Sequence, residues 1–215
     1  MIEPARRTPC ASLFLAASAA LVFSWPGLAT HLQYDRAAIA AGETWRLVSG
    51  HWTHYSLDHF VWDGLAFAAL GIACERKSRS RFLVCLFASA LMISLSVWLL
   101  LPEMEVYRGL SGIDSALFTF LAGVMWNDGR RKDQPGQQAI AMACAIAFLL
   151  KAAVELVTGN TVFVRGMGLD AVGVPLAHIV GAGCGLVAGL TGPPYETGRQ
   201  VVLRSSHTTQ WSSTT

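Results

Sequence analysis

Charge is what this chain has little of. Asp, Glu, Lys and Arg make up 14% of its 215 residues, against 53% apolar residues. A soluble globule of that length carries roughly a quarter charged residues to cover its surface, so an ordinary soluble fold is excluded. The slight excess of basic residues, net +2, does not point to nucleic acid, because those residues cluster beside apolar blocks. Paired cysteines are missing as well. The five present (Cys10, Cys74, Cys85, Cys144 and Cys184) are odd in number and show no CxxC or zinc spacing, so they read as small hydrophobes. There is no HExxH, no inverted repeat and no pair of broken helices, which argues against a zinc protease and a transporter. No cofactor is implied.

What is there comes in apolar blocks of near-spanning length, the signature of an all-α membrane protein that crosses the bilayer several times. Six spans are expected. The first covers Cys10 to about Trp25, after Arg6 and Arg7, and reads as an uncleaved helix rather than a signal peptide. A polar loop over 28–50 follows. The second span, near 53–74, carries His54, Asp58, His59 and Asp63 before it turns fully apolar. The third runs from Phe82 to Leu101, the fourth from Ser111 to about Trp126, the fifth over about 139–158 and the sixth over about 172–190. On the fifth, Lys151 and Glu155 lie four apart, where they can pair along one face. Domain boundaries follow: a cytoplasmic tail over 1–9, one helical domain over 10–192, and a Ser/Thr-rich, disordered cytoplasmic tail over 193–215.

Basic hinges close spans two and four, on the side where Arg6 and Arg7 lie, and by the positive-inside rule that side is cytoplasmic. Ser111 then sits at the outer end of its helix. There the unpaired backbone N–H groups and the positive dipole end favour a developing negative charge. His178 enters the sixth span from the same side, a turn or two down. Histidine in a membrane helix is costly and usually faces a bundle interior or a wet cavity. Small residues recur every fourth position on both helices, at Ser115, Thr119 and Gly123 and at Gly181, Gly185 and Gly189, which lets their backbones approach closely. The same stripes serve plain helix packing. Neutral His178 could accept the Ser111 proton and return it to a leaving amine. His59 and Asp63, four apart on one face, could donate to an oxyanion or simply bond to each other.

Glu43-x-Trp45-Arg46, His54-x4-His59-x3-Asp63, Glu75, Gly109-Leu110-Ser111-Gly112 and Ala177-His178-x2-Gly181-x3-Gly185 together resemble the rhomboid intramembrane serine proteases. The resemblance covers about residues 10–190. It implies a six-transmembrane-helix bundle, a Ser111–His178 dyad with no acid third member, and a water-filled cavity open to the outside. It also implies an oxyanion site formed by His59, Asp63, Gly109 and Leu110, with Trp45 and Arg46 in a loop that dips into the outer leaflet. Two positions depart from the family. Asp63 stands where asparagine is usual, so it must be protonated or must orient His59. Ser115 stands where a tyrosine commonly stacks on the histidine, which leaves Asp114 as a candidate support for His178.

The short chain and compact loops resemble the rhombosortase branch, bacterial inner-membrane proteins with both termini cytoplasmic and the site facing the periplasm. That branch implies cleavage of secreted proteins near a C-terminal Gly-Gly sorting signal. The implied partners are substrates with a transmembrane helix and the lipid bilayer itself. Oligomeric state and substrate identity are not readable from the residues. One alternative is an inactive rhomboid-like protein that binds client helices; such relatives lose the serine or the histidine, and both are present. A second is a zinc site on His51, His54 and Asp58, whose spacing fits one helical face.

Overall fold

A computed structural model describes residues 8–159 and 174–191. The expected tails, up to residue 7 and from 193 onward, and the segment leading into the sixth span lie outside the described residues.

Helix α1 (Cys10–Ser24) turns sharply into α2 (Pro26–Leu32), with a bend of 113° between them. A two-residue strand β1 (Tyr34–Asp35), α3 (Arg36–Ala40), α4 (Arg46–Ser49) and a single 3-10 turn (Gly50–Trp52) follow. The stretch expected as a polar loop over 28–50 is therefore largely built of short helices. Asp35 caps one of them, its side chain accepting from the Ala38 N–H at 2.9 Å. Long helices make up the rest: α5 (Leu57–Lys77), α6 (Arg79–Leu100), α7 (Ser111–Arg131), α8 (Pro135–Thr158) and α9 (Pro175–Thr191). Between α6 and α7 lies β2 (Val106–Tyr107), which pairs antiparallel with β1. Ser56 and Ser78 cap α5 and α6 through bonds from the backbone N–H of His59 and Arg81. Pro135 opens α8, where its missing N–H costs nothing.

Three of these helices, α5, α6 and α8, are long and apolar enough to cross a membrane, and the bent α1–α2 pair makes a fourth if taken as one span. Six spans are expected from the sequence; α7 and α9 do not meet the same test. α7 carries Asp114 near one end and Asp128, Arg130 and Arg131 at the other, and α9 has 17 residues. α7 can afford polar residues because it is the axis of the bundle. It packs on α5, α6, α8 and α9, with Ile113, Leu117 and Phe120 fully buried. The outward faces are apolar instead: Leu99 on α6 and Leu149, Leu150 and Val157 on α8 are all exposed, as bilayer-facing side chains should be.

α7 and α9 meet backbone to backbone. A methyl group added at Gly181 would land on the Gly112 carbonyl oxygen, and one added at Gly185 would land on that of Ala116. Only glycine permits this approach. Thr119 Oγ1 donates across the seam to the Ala182 carbonyl at 2.8 Å.

Charged side chains knot the bundle at its ends. At the end away from Ser111, Glu75 of α5 accepts from the backbone N–H groups of Ala11 (3.1 Å) and Ser12 (2.7 Å) at the start of α1, and from Arg79 Nε (2.7 Å) of α6. The carboxylate thereby satisfies orphan donors at a helix N-terminus. At the other end, Arg36 Nη2 donates to the carbonyls of Val97, Trp98 and Leu101, closing the C-terminus of α6.

Candidate active site

The approach to Ser111 is fixed before its helix begins. β2 is held on β1 with Tyr107 opposite Tyr34, and Tyr55 Oη donates to the Val106 carbonyl at 3.1 Å. Arg108 then points its guanidinium at Gln33 Oε1 and lies over the Tyr55 ring, 5.2 Å from its centroid. Gly109 takes φ +119°, a conformation that L side chains rarely adopt, and a Cβ there would lie 2.6 Å from His59 Nε2. This turn delivers Leu110 and Ser111 to the start of α7.

His178 lies one helical turn before Gly181, so the glycine seam carries it to the same level. Its Nε2 is 3.0 Å from Ser111 Oγ. The opposite ring nitrogen, Nδ1, is 2.7 Å from Glu155 Oε2. Both residues are buried. Lys151, one turn earlier on α8, donates to both oxygens of Glu155 at 2.7 and 2.8 Å. Its Nζ is also 3.3 Å from Nδ1, but an ammonium has no lone pair to accept a ring N–H, so its hydrogens belong to the carboxylate. A carboxylate at Nδ1 fixes the neutral tautomer with hydrogen on that nitrogen and leaves Nε2 bare to accept the serine O–H.

The resemblance implies a dyad with no acid third member; the structure places the Glu155 carboxylate beside the histidine. The Lys151–Glu155 pair expected from the sequence forms, but with the imidazole as a third member. Asp114, the candidate support, does not take Nδ1. It is buried against the same cavity, and its Oδ1 has no hydrogen-bond partner among the described residues. Ser115 Oγ turns back to donate to the Ser111 carbonyl at 2.9 Å.

Asp63 contacts His59, one of the two roles expected of it, and also reaches the turn before α7. Its Oδ2 accepts from the backbone N–H groups of Leu110 (2.9 Å) and Ser111 (3.1 Å), and His59 Nε2 lies 3.0 Å from the same oxygen. A donor role alongside the Ser111 N–H is therefore not what the structure shows. α7 has no cap of its own from Leu110, and a carboxylate from α5 takes that place. The N–H pair at the start of α7 is a donor set an oxyanion could use, and the carboxyl group of Asp63 already occupies it.

Ser111, His178, His59, Asp63 and Glu155 line one cavity of about 430 Å³ among α5, α7, α8 and α9. Trp45 and Arg46 do not line it. Trp45 is exposed, and buried Arg46 bonds to Glu43 and to the carbonyls of Thr30 and Gln33, bracing the α2–α4 segment. The residues of the zinc alternative point apart. His51 Nε2 meets the Ala90 carbonyl and Ser94 Oγ on α6, while Asp58 is on the exposed first turn of α5. Among the described residues no group of three or more His, Cys, Asp or Glu side chains is arranged to hold a metal ion.

Against known families, the rhomboid domain matches residues 41–194. That stretch takes in α4 through α9 and every residue of the cavity named above. No curated protein sequence matches the chain.

Proposed function

The chain belongs to the rhomboid family of intramembrane serine proteases, and from that premise we propose that it is an active endopeptidase with Ser111 as nucleophile and His178 as its base. The observation that carries the reading is the 3.0 Å contact between Ser111 Oγ and His178 Nε2. As Oγ attacks the scissile carbonyl carbon, its proton passes to Nε2. The carbonyl oxygen, now negative, takes the N–H groups of Leu110 and Ser111 and displaces Asp63 Oδ2 from them. His178 next gives its proton to the leaving amine, and the acyl group on Ser111 passes to water that the same nitrogen deprotonates. The contact also weighs against an inactive, client-binding protein, which would have no use for a poised serine–histidine pair.

The substrates are membrane-anchored proteins cut at or near the outer face of the membrane. The finer reading is the rhombosortase branch, with C-terminal Gly-Gly sorting signals as targets, in a bacterial inner membrane. Arg76, Lys77, Arg79, Arg130 and Arg131 all sit at the end of the bundle away from Ser111, which supports a cytoplasmic placement of that end and an outward-facing cavity. The six-span topology with both termini cytoplasmic belongs to the same reading.

A serine-directed covalent probe on the purified protein tests the assignment. The wild-type chain should be labelled, and Ser111→Ala and His178→Ala should each abolish labelling and cleavage of a helix-bearing reporter while the thermal midpoint stays near wild type. Cleavage by Ser111→Ala at the normal rate would overturn it. A reporter ending in a Gly-Gly stretch, an apolar helix and a basic end should be cut faster than one lacking the Gly-Gly stretch.

A further inference from the structure

We infer that Glu155 is the positioning acid of a three-membered relay, Ser111–His178–Glu155, and that Lys151 holds its carboxylate aimed at the ring. The inference rests on the nucleophile and base proposed above and adds to them a residue on a separate helix. Three observations converge on it. Glu155 Oε2 stands 2.7 Å from His178 Nδ1, on the ring edge opposite the serine. Its side chain is 2% exposed, so the contact is made out of water, where a charge acts with little screening. Both of its oxygens are held by Lys151 Nζ, at 2.7 and 2.8 Å, so the carboxylate cannot rotate away from the ring.

The chemistry follows from the proton count. When Ser111 gives its proton to Nε2, the imidazole becomes a cation with hydrogens on both nitrogens. The Nδ1–H already points at Glu155, so the new positive charge forms against a fixed anion with no side chain having to move. Glu155 takes no proton in the step; it sets the tautomer beforehand and stabilises the imidazolium afterwards. Lys151 bounds the effect, because its ammonium neutralises part of the carboxylate's field at the ring.

Among the described residues, the charged and titratable groups that line the cavity with His178 are Lys151 and Glu155 from α8, Asp114 from α7, His59 and Asp63 from α5, and Tyr55, Tyr107 and Arg108 from the segments that lead into α5 and α7. α6 packs Ile93 against this part of α9. Of these groups, Glu155 and Lys151 are the ones within hydrogen-bond range of the ring at Nδ1.

The experiment is the pH dependence of probe labelling at Ser111 in the full chain, in detergent micelles. Glu155→Gln should lower the labelling rate by about 10²–10⁴-fold, because a side-chain amide can donate to Nδ1 and lock the wrong tautomer. Its acidic limb should move to lower pH by about one unit or more, since the imidazolium has lost its anion. Lys151→Met should shift that limb the opposite way, to higher pH, because a cation beside the ring has gone. Glu155→Asp, which keeps the charge one methylene shorter, should recover part of the rate. Labelling of Glu155→Gln at the wild-type rate, or an acidic limb that neither substitution moves, would overturn the inference. The wild-type protein gives a reading that no variant's folding can obscure: nitrogen NMR of His178 should show hydrogen on Nδ1 in the neutral ring, and hydrogen on Nε2 would sink the relay. Ser111→Ala separates the two proposals. If it keeps full activity, the serine assignment itself falls; if it is dead while Glu155→Gln is normal, the relay alone falls.

Discussion

The two sides of His178 are built in opposite ways. Towards α7, its helix is sealed by glycines whose missing side chains are replaced by the carbonyl oxygens of Gly112 and Ala116. Towards α8, the neighbouring helix buries little besides Ala141, Ala152 and Glu155, and turns Leu149, Leu150 and Val157 outward. Steric fit therefore holds the serine to the histidine, whereas hydrogen bonds and charge hold the histidine to the glutamate. Seams of the first kind tolerate no added atom. Contacts of the second kind tolerate changes in shape but respond to any change in charge.

The sharpest way to break the contrast is Gly185→Leu. The new side chain would meet the Ala116 carbonyl and Thr119 Oγ1, so it should cost about 3 kcal/mol or more and remove probe labelling. Gly183→Ala, on the same helix with nothing within 4 Å of the added methyl, should instead raise the thermal midpoint slightly, by up to about 1 kcal/mol of helix propensity. A midpoint unchanged by Gly185→Leu would show that the seam is looser than described.

A middle-sized effect is expected at Asp63. Asp63→Ala strips the acceptor from two backbone N–H groups and should cost about 1–2 kcal/mol, the usual price of a lost helix cap. Asp63→Asn keeps an acceptor there without the charge; it should hold the midpoint within about 1 kcal/mol and label several-fold faster, because a neutral oxygen yields its place more readily. Slower labelling of Asp63→Asn would mean that the charge itself is needed. The smallest effect belongs to the outer face of α8. Leu149→Ala, exposed and outside the cavity lining, should leave stability within about 0.5 kcal/mol and leave labelling unchanged.

Much of the site was legible as anomaly. A hydroxyl at a helix start, a histidine inside an apolar segment and two small-residue stripes each stand out against a sequence with 14% charge, and topology sets them at similar depth. Glu155 did not stand out. Four residues after Lys151 it reads as half of an ordinary helical ion pair, and nothing in α8 alone says which way that face is turned about its axis. The role of Asp63 was hidden for a similar reason. Residue type offers a carboxylate as acceptor or, once protonated, as donor, and only the position of the Leu110 and Ser111 N–H groups decides between them. The ribbon of Tyr34 with Tyr107 is too short for any alternating pattern. The helices of the 28–50 segment are short and held by contacts such as those of Arg46 and Asp35, rather than by a periodic apolar face. The count of spans was the hardest to read, because α7 is screened from lipid by its neighbours and can carry charges that a lipid-facing helix could not.

On the proposed mechanism the carboxyl group of Asp63 would set a threshold. An entering amide would have to compete with it for the N–H groups of Leu110 and Ser111, so a weakly held chain would leave it in place and go unreacted. Discrimination of that kind would depend on how firmly a chain is gripped elsewhere.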